Sequence, residues 1–282
     1  MIVVTGATGT VGRLVVEQLC AMGARVRAVT RRPSAASLPA GVEIVRGDLG
    51  EPDGLPGVLA GADRVFLLSA GPELPRHDAA VAAAAARAGV SHIVKLSSGR
   101  AGDAAATDPI PAWHRAGERA VRASGVPWTM VRPLGFMANA LHWAPTVRDH
   151  DTVYAPYGQG RIAVVDPYDI AAVAAKALTE PGHEGRVHTL SGPRPLTPGE
   201  QTEILAEVLG RPLRFVETTP EQARAALLRF GIEAEMADAI MALRATALES
   251  FTSVVHPTVE EITGRPPRTF LDWVLEQRAS FA

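Results

Sequence analysis

Residues 2–12 read IVVTGATGTVG. The first four, Ile2 to Thr5, are apolar or β-branched, which predicts a short strand buried on both faces. Gly6, Gly9 and Gly12 follow in a GxxGxxG spacing, and Val11, Leu14, Val15, Leu19 and Met22 then recur at helical spacing until Gly23. A glycine turn between a strand and a helix suits a dinucleotide. Glycine permits the tight turn, the backbone can approach a pyrophosphate, and the helix start offers free N–H groups with a partial positive charge. Gly6, Thr8, Gly9, Thr10, Val11 and Gly12 are therefore cofactor-binding candidates, with a merely structural turn as the alternative. A P-loop is disfavoured because no GK[ST] follows.

Outward from this turn, strand-like runs cover 25–30, 42–49, 64–70, 92–98 and 128–133. Between them lie helical patterns at 51–60, in the Ala-rich run 79–90, and at 112–123. Such alternation predicts an α/β fold, a parallel sheet with helices on both faces. Beyond Pro133 the stretch 135–150 looks helical, 166–178 is an amphipathic helix, and 187–192 returns to the sheet. From 197 onward the patterns are mostly helical. The expected division is a nucleotide-binding domain over 1–135 and 162–192. A smaller, mainly helical substrate lobe over 136–161 and 193–282 would complete it, with the ligand in the cleft between.

Composition sets outer limits. With 282 residues, 47% hydrophobic and 21% charged, the chain suits one large domain or a nucleotide-binding domain with a companion, and disorder is disfavoured. The net charge of −2 gives no basic excess for a nucleic-acid partner. One cysteine, Cys20, excludes an internal disulfide framework and a cysteine metal site, and no metal is expected. No apolar run reaches membrane-spanning length, and the chain begins directly in a strand without a signal peptide. A cytoplasmic monomer or homodimer acting on a small molecule is the expectation.

The end of the second strand bears on cofactor choice. Thr30 occupies the tip, without the carboxylate that would bind the ribose of NAD, and Arg31 and Arg32 follow. An arginine pair can hold a 2′-phosphate through charge-assisted hydrogen bonds, so NADP(H) is preferred and NAD(H) remains possible. Two solvated loop arginines are the alternative. Asp48 and Leu49 follow the third strand, where adenine is expected, though Asp48 equally suits a turn. Ser69, Ala70 and Gly71 follow the fourth strand and could pass beside the cofactor riboses.

The motifs TGATGTVG, TRRP, RGDL, KLSS, HRAGERAVRASGVPWTMVRP, FMANAL and TGRPPRTFLDWV together resemble the NmrA-like branch of the atypical short-chain dehydrogenase/reductases, over nearly the whole chain. The resemblance implies a Rossmann, doubly wound parallel sheet with a smaller C-terminal substrate lobe. It also implies either an NAD(P)H-dependent reductase of quinones, triphenylmethane dyes or phenolics, or a dinucleotide sensor. In the catalytic pattern of the wider family, a Ser ends strand five and a Tyr and Lys stand four apart on the next helix. Here Ser97 and Ser98 end that strand, but the helix carries His114 and Glu118. None of Tyr154, Tyr157 and Tyr168 has a Lys four positions on.

His114 and Glu118 share a helix face. Three readings stand. Glu118 orients an imidazole that donates a proton, for which a pKa near 6.5 is suited. The two form an ordinary helix pair. Or Glu118 pairs with Arg115 or Arg122 while His114 lines the cleft. After the sixth strand, Pro133, Leu134, Gly135 and Phe136 could pack on the nicotinamide, beside which Ser97 would also lie. Phe136, Met137, Asn139 and Trp143, with Trp113 and His114, could form a substrate wall, or the apolar ones a core. Together these features favour an NADPH-dependent oxidoreductase of conjugated, aromatic or quinonoid molecules. Such acceptors need little help with their proton. A non-catalytic NADP(H) sensor and a non-redox isomerase or cyclase are the rivals.

Overall fold

The computed structural model describes residues 1–282. Nine strands run along the chain: β1 (Ile2–Val4), β2 (Val26–Thr30), β3 (Glu43–Arg46), β4 (Arg64–Leu67), β5 (His92–Leu96), β6 (Trp128–Pro133), β7 (Thr152–Ala155), β8 (Arg186–Leu190) and β9 (Arg214–Glu217). The helices are α1 (Thr10–Ala21), α2 (Leu55–Leu59), α3 (Leu74–Arg87), α4 (Pro109–Ala123), α5 (Ala144–His150), α6 (Pro167–Thr179), α7 (Pro198–Leu209), α8 (Pro220–Arg229), α9 (Ala234–Ala245), α10 (Thr258–Thr263) and α11 (Phe270–Phe281).

Two compact units emerge. The first comprises Met1–Ala104, Pro111–Pro133 and Pro167–Thr189. The large sheet has the order β3-β2-β1-β4-β5-β6-β8, parallel from β3 through β6. This is the expected doubly wound α/β architecture. Its strands read as apolar runs because helices cover them: every residue of β1 and β5 is buried. Below the sheet, Val3, Val29, Val65, Leu67 and Ile93 pack with Leu55 and Leu59 of α2 and Val81 and Ala85 of α3. The chain order reverses between β1 and β4, so the crevice at their carboxyl ends is the topological switch point where such sheets bind ligands.

The second unit comprises Ala105–Ile110, Leu134–Asp166 and Leu190–Ala282. Residues 162–166 bond within it: Ile162 pairs with Leu196, Ala163 donates to Thr252, and Val165 donates to Gly135. Its core gathers Met137, Val147, Val153 and Leu205 around Phe270, Trp273 and Phe281. Helices α7, α8 and α11 begin with capping boxes at Thr197, Thr219 and Thr269, which satisfy the first amides of each helix. Two features depart from the sequence reading. β7 and β9 form a separate parallel pair with Tyr154 opposite Val216, in a lobe expected to be mainly helical and for which no strand was named. The helix expected over 135–150 is a 3₁₀ segment, Met137–Trp143, followed by α5. Pro145, in the first turn of α5, has no N–H to continue a helix begun at 137.

Candidate functional site

The glycine turn leaves β1 at the switch point. Thr5 anchors it: its Oγ1 accepts from the Leu68 amide at 2.7 Å, and its own N–H donates to Phe66 at 3.0 Å, joining the ends of β1 and β4. Gly6 holds φ +61°, the left-handed region that favours glycine. At Gly12 a Cβ would lie 2.1 Å from the Gly6 carbonyl oxygen, so only glycine lets α1 approach the turn. Gly9 caps α1 without a side-chain hydrogen bond, and no acid stands in the first turn. The first intrahelical donor is Arg13, to Gly9 at 3.0 Å, which leaves the amides of Thr10, Val11 and Gly12 directed out of the helix start. Those amides and the helix dipole suit a pyrophosphate. Thr8 and Thr10 are exposed there, whereas the Val11 side chain is in the core and can offer only its backbone.

Arg31 and Arg32 are exposed after β2, neither held by an ion pair, and the Arg32 amide donates to Thr30 Oγ1 at 3.2 Å. Asp48 accepts from the Gly50 amide at 2.9 Å, closing a turn after β3, and Leu49 packs on the core. Beyond β4, Ser69 Oγ donates to Asp78 Oδ1 at 2.5 Å, while Ala70 is exposed and Gly71 holds φ +83°. The Ser69 hydroxyl is thus directed inward, to a fully buried Asp78–Lys95 ion pair that the sequence reading missed. Lys95 interrupts an otherwise apolar strand, a signal that could have been used. Gly117 makes the pair possible, because a Cβ there would lie 2.0 Å from Asp78 Oδ2.

The helix with His114 and Glu118 corrects two expectations. Glu118 does not orient His114. Its carboxylate is gripped by Arg132, with Nε 2.7 Å from Oε1 and Nη2 2.6 Å from Oε2, and Arg122 stands 3.2 Å from Oε2. Arg122 was one of the two partners, with Arg115, considered for Glu118, and Arg132 is the closer partner. Ser97 Oγ donates to Glu118 Oε1 at 2.6 Å, which commits its hydroxyl hydrogen and leaves its oxygen able to accept. Despite its burial, the carboxylate is held below its ordinary pKa by these hydrogen bonds and by the charges of Arg132 and Arg122. Nor does His114 keep the ordinary pKa near 6.5. Burial, then the positive charge of Lys95, lowers its pKa to about 3, outweighing the opposing pull of Glu118. Its Nδ1 is buried without a hydrogen-bond partner.

Trp113, half-buried on α4, belongs to the first unit, as does Pro133. In the second unit Leu134 is buried, with its amide bonded to Leu190 at 2.9 Å, so its side chain is no free surface for a nicotinamide. Gly135 packs closely, since a Cβ there would lie 2.9 Å from Ile162. The unit contains a cavity of about 920 Å³, lined by Gly135, Phe136, Asn139 and Trp143 of the expected set. Met137, expected on the same wall, is 1% exposed and packs in the core instead. The alternation within the 3₁₀ segment separates it from its neighbours. Unforeseen lining residues include Tyr154, Tyr157, Gln201 and Arg244, brought together from β7, the following loop, α7 and α9.

A doubly wound sheet with a glycine-only turn at its switch point and an uncapped helix start defines a dinucleotide-binding protein. A family model described as NAD(P)H-binding matches residues 6–181. The chain belongs to that NAD(P)H-binding family. It is 47% identical to a (4-alkanoyl-5-oxo-2,5-dihydrofuran-3-yl)methyl phosphate reductase of Streptomyces griseus, covering 100% of this chain and 99% of the relative. To an NAD(P)H azoreductase of Xenophilus azovorans it is 38% identical, over 100% and 99%. The solved structure of an NADPH-dependent quinone oxidoreductase from Escherichia coli, complexed with NADPH, aligns with TM-score 0.86 at 28% identity, covering 99% of this chain and 100% of that one. The chain is an NAD(P)H-dependent oxidoreductase. No helix is long and apolar enough to cross a membrane.

Proposed function

We propose that the protein is an NADPH-dependent reductase of small, conjugated, electron-poor acceptors, held in the cavity of the second unit. The observation that carries this reading is the geometry of α4: the two side chains at the positions of the missing Tyr–Lys pair are a carboxylate locked by arginine and a half-buried imidazole whose Nδ1 is sealed without a partner and whose pKa is lowered to about 3. Neither is available to protonate an alkoxide. An isolated ketone would develop such an alkoxide and need that help. A quinone, an azo bond or an unsaturated lactone spreads the new charge into its own π-system, and water can protonate it afterwards. The aromatic wall of Phe136, Trp143, Tyr154 and Tyr157 suits a flat acceptor.

The furanone-phosphate relative is named for a ring whose double bond is conjugated to two carbonyl groups, which fits the same electronic class. The cofactor, when bound, supplies the hydride. Around it, the amides of Thr10, Val11 and Gly12 would receive the pyrophosphate, and Arg31 and Arg32 the 2′-phosphate that distinguishes NADPH from NADH. Thr8, Asp48, Leu49, Ala70, Gly71, Pro133 and Gly135 are proposed to complete the contacts through backbone or van der Waals surface. The test follows nicotinamide absorbance with naphthoquinones, azo dyes, unsaturated lactones and simple ketones. Oxidation with the conjugated panel and none with the ketones is expected. Reduction of isolated ketones alone would overturn the reading.

A further inference from the structure

Arg244 lies on α9 and lines the second unit's cavity among Phe136, Trp143 and Tyr157. Four arginines of this unit have acidic partners: Arg161 with Glu200, Arg211 with Asp151, Arg224 with Asp238, and Arg268 with Asp166 and Glu276; Arg229, also on the cavity wall, is exposed to solvent. Arg244 has no acidic partner. The one carboxylate sharing the cavity, Glu217, is taken by the Gly158 amide at 2.8 Å. Burial pushes the Arg244 guanidinium below its ordinary range, with Tyr157 pulling the other way. Arg244 is half-buried at the cavity wall, and a cation placed there without a counter-charge suits a ligand that supplies one.

The site is firmly built. Tyr157 is a non-glycine residue at φ +58°, a conformation that costs energy and is retained where surroundings impose it. Its loop is fixed to the segment following α9: Gly160 donates to Tyr157 at 2.8 Å, Arg161 donates to Ala247 at 2.7 Å, and a Cβ on Gly160 would lie 2.6 Å from the Ala247 methyl. Gln201, only 8% exposed, lines the same cavity and offers an amide. Arginine's planar fork matches the oxygens of a phosphate or carboxylate.

We propose that Arg244 anchors an oxyanion, a phosphate monoester or a carboxylate carried by an otherwise flat, apolar substrate. Acceptors of the enzyme would thus be anionic as well as conjugated. This rests on the reading that the acceptor occupies this cavity. The apolar wall holds the conjugated body, and Arg244 fixes which end of the molecule lies where.

Binding tests this without turnover. 1-Naphthol, 1-naphthyl phosphate and 1-naphthoate are titrated into the full chain saturated with NADP⁺. The same titrations are made on Arg244→Met and Arg244→Lys. At least one anion should bind about tenfold or more tightly than naphthol, as one charge-assisted hydrogen bond implies. Which anion leads distinguishes a phosphate anchor from a carboxylate anchor. The preference should vanish in Arg244→Met and persist in part in Arg244→Lys, with circular dichroism and NADP⁺ affinity reporting that both variants are folded. Equal binding of all three probes, no binding of either anion, or an unchanged preference in folded Arg244→Met would overturn the anchor. A wild-type protein that shows the anion preference yet oxidises NADPH with no conjugated acceptor would overturn the proposed reaction and leave the anchor standing.

Discussion

Arg132 grips Glu118 with both prongs of its guanidinium, Nε to Oε1 at 2.7 Å and Nη2 to Oε2 at 2.6 Å. The contact joins β6 to α4 across a carboxylate that is only 1% exposed. Removing one member strands the other. Glu118→Ala is expected to destabilise the protein by about 3–5 kcal/mol, because the charge of Arg132 is left without its partner. Glu118→Leu combined with Arg132→Met should recover a substantial part. Urea denaturation of Glu118→Leu, Arg132→Met and the double variant measures the coupling. Additive losses would mean that the pair is not the unit it looks to be.

His114 supplies a pH signature. Its folded pKa of about 3 lies below the ordinary 6.5, so the unfolded chain binds its proton first as pH falls. Stability is therefore complete above about 6.5 and is lost progressively as pH drops toward about 3. His188, lowered to about 4 by burial and then by His183 and Arg186, works in the same direction. Melting temperature should fall between pH 7 and 4, less steeply in His114→Asn. In single-turnover hydride transfer, wild-type enzyme should show no inflection near 6.5 that His114→Asn abolishes; such an inflection would show that the imidazole titrates.

Gly12→Ala places a methyl where the Gly6 carbonyl already stands, 2.1 Å away. The turn must open, and α1 must withdraw from it. Loss of NADPH binding by at least about tenfold is expected, along with a destabilisation of about 1–3 kcal/mol from the forced overpacking. Tryptophan-to-nicotinamide energy transfer reads the binding, and thermal melts read the stability. Undiminished affinity would remove the turn from the cofactor site.

Arg31→Ala and Arg32→Ala test the choice between cofactors. Each guanidinium that holds the 2′-phosphate contributes about 1.5–3 kcal/mol, so kcat/KM for NADPH should fall about tenfold or more while that for NADH changes little. Equal losses with both cofactors would show that these arginines act only on features the two share.

The sheet was legible because its strands are covered by helices and so read as mostly apolar runs, and because glycines mark the turn after β1. β7 and β9 were not. Each has four residues, they pair across some sixty positions, and nothing local in TVYA or RFVE sets them apart from loop. The same limit governs the site. His114 and Glu118 are neighbours by helical spacing, but what decides their chemistry comes from elsewhere: Ser97 and Lys95 from β5, Arg132 from β6. Met137 was assigned to a wall with Phe136 and Asn139 because it adjoins them in sequence. The 3₁₀ segment turns its side chain into the core instead. Arg244 gave no signal at all, since an arginine near the end of a helix is ordinary and its lack of a partner is a property of the folded chain.

The glycine turn and the Arg31–Arg32 pair belong to the first unit, whereas every residue lining the cavity belongs to the second. On the proposed assignment of these sites, coenzyme preference and acceptor preference are encoded in separate stretches of the gene. Exchanges confined to 134–166 and 190–282 can redesign the acceptor range while leaving the machinery for the dinucleotide intact. A directed-evolution library aimed at new acceptors would diversify the cavity wall itself: 135–146, β7 and the loop at Tyr157, α7, β9, α8 and α9.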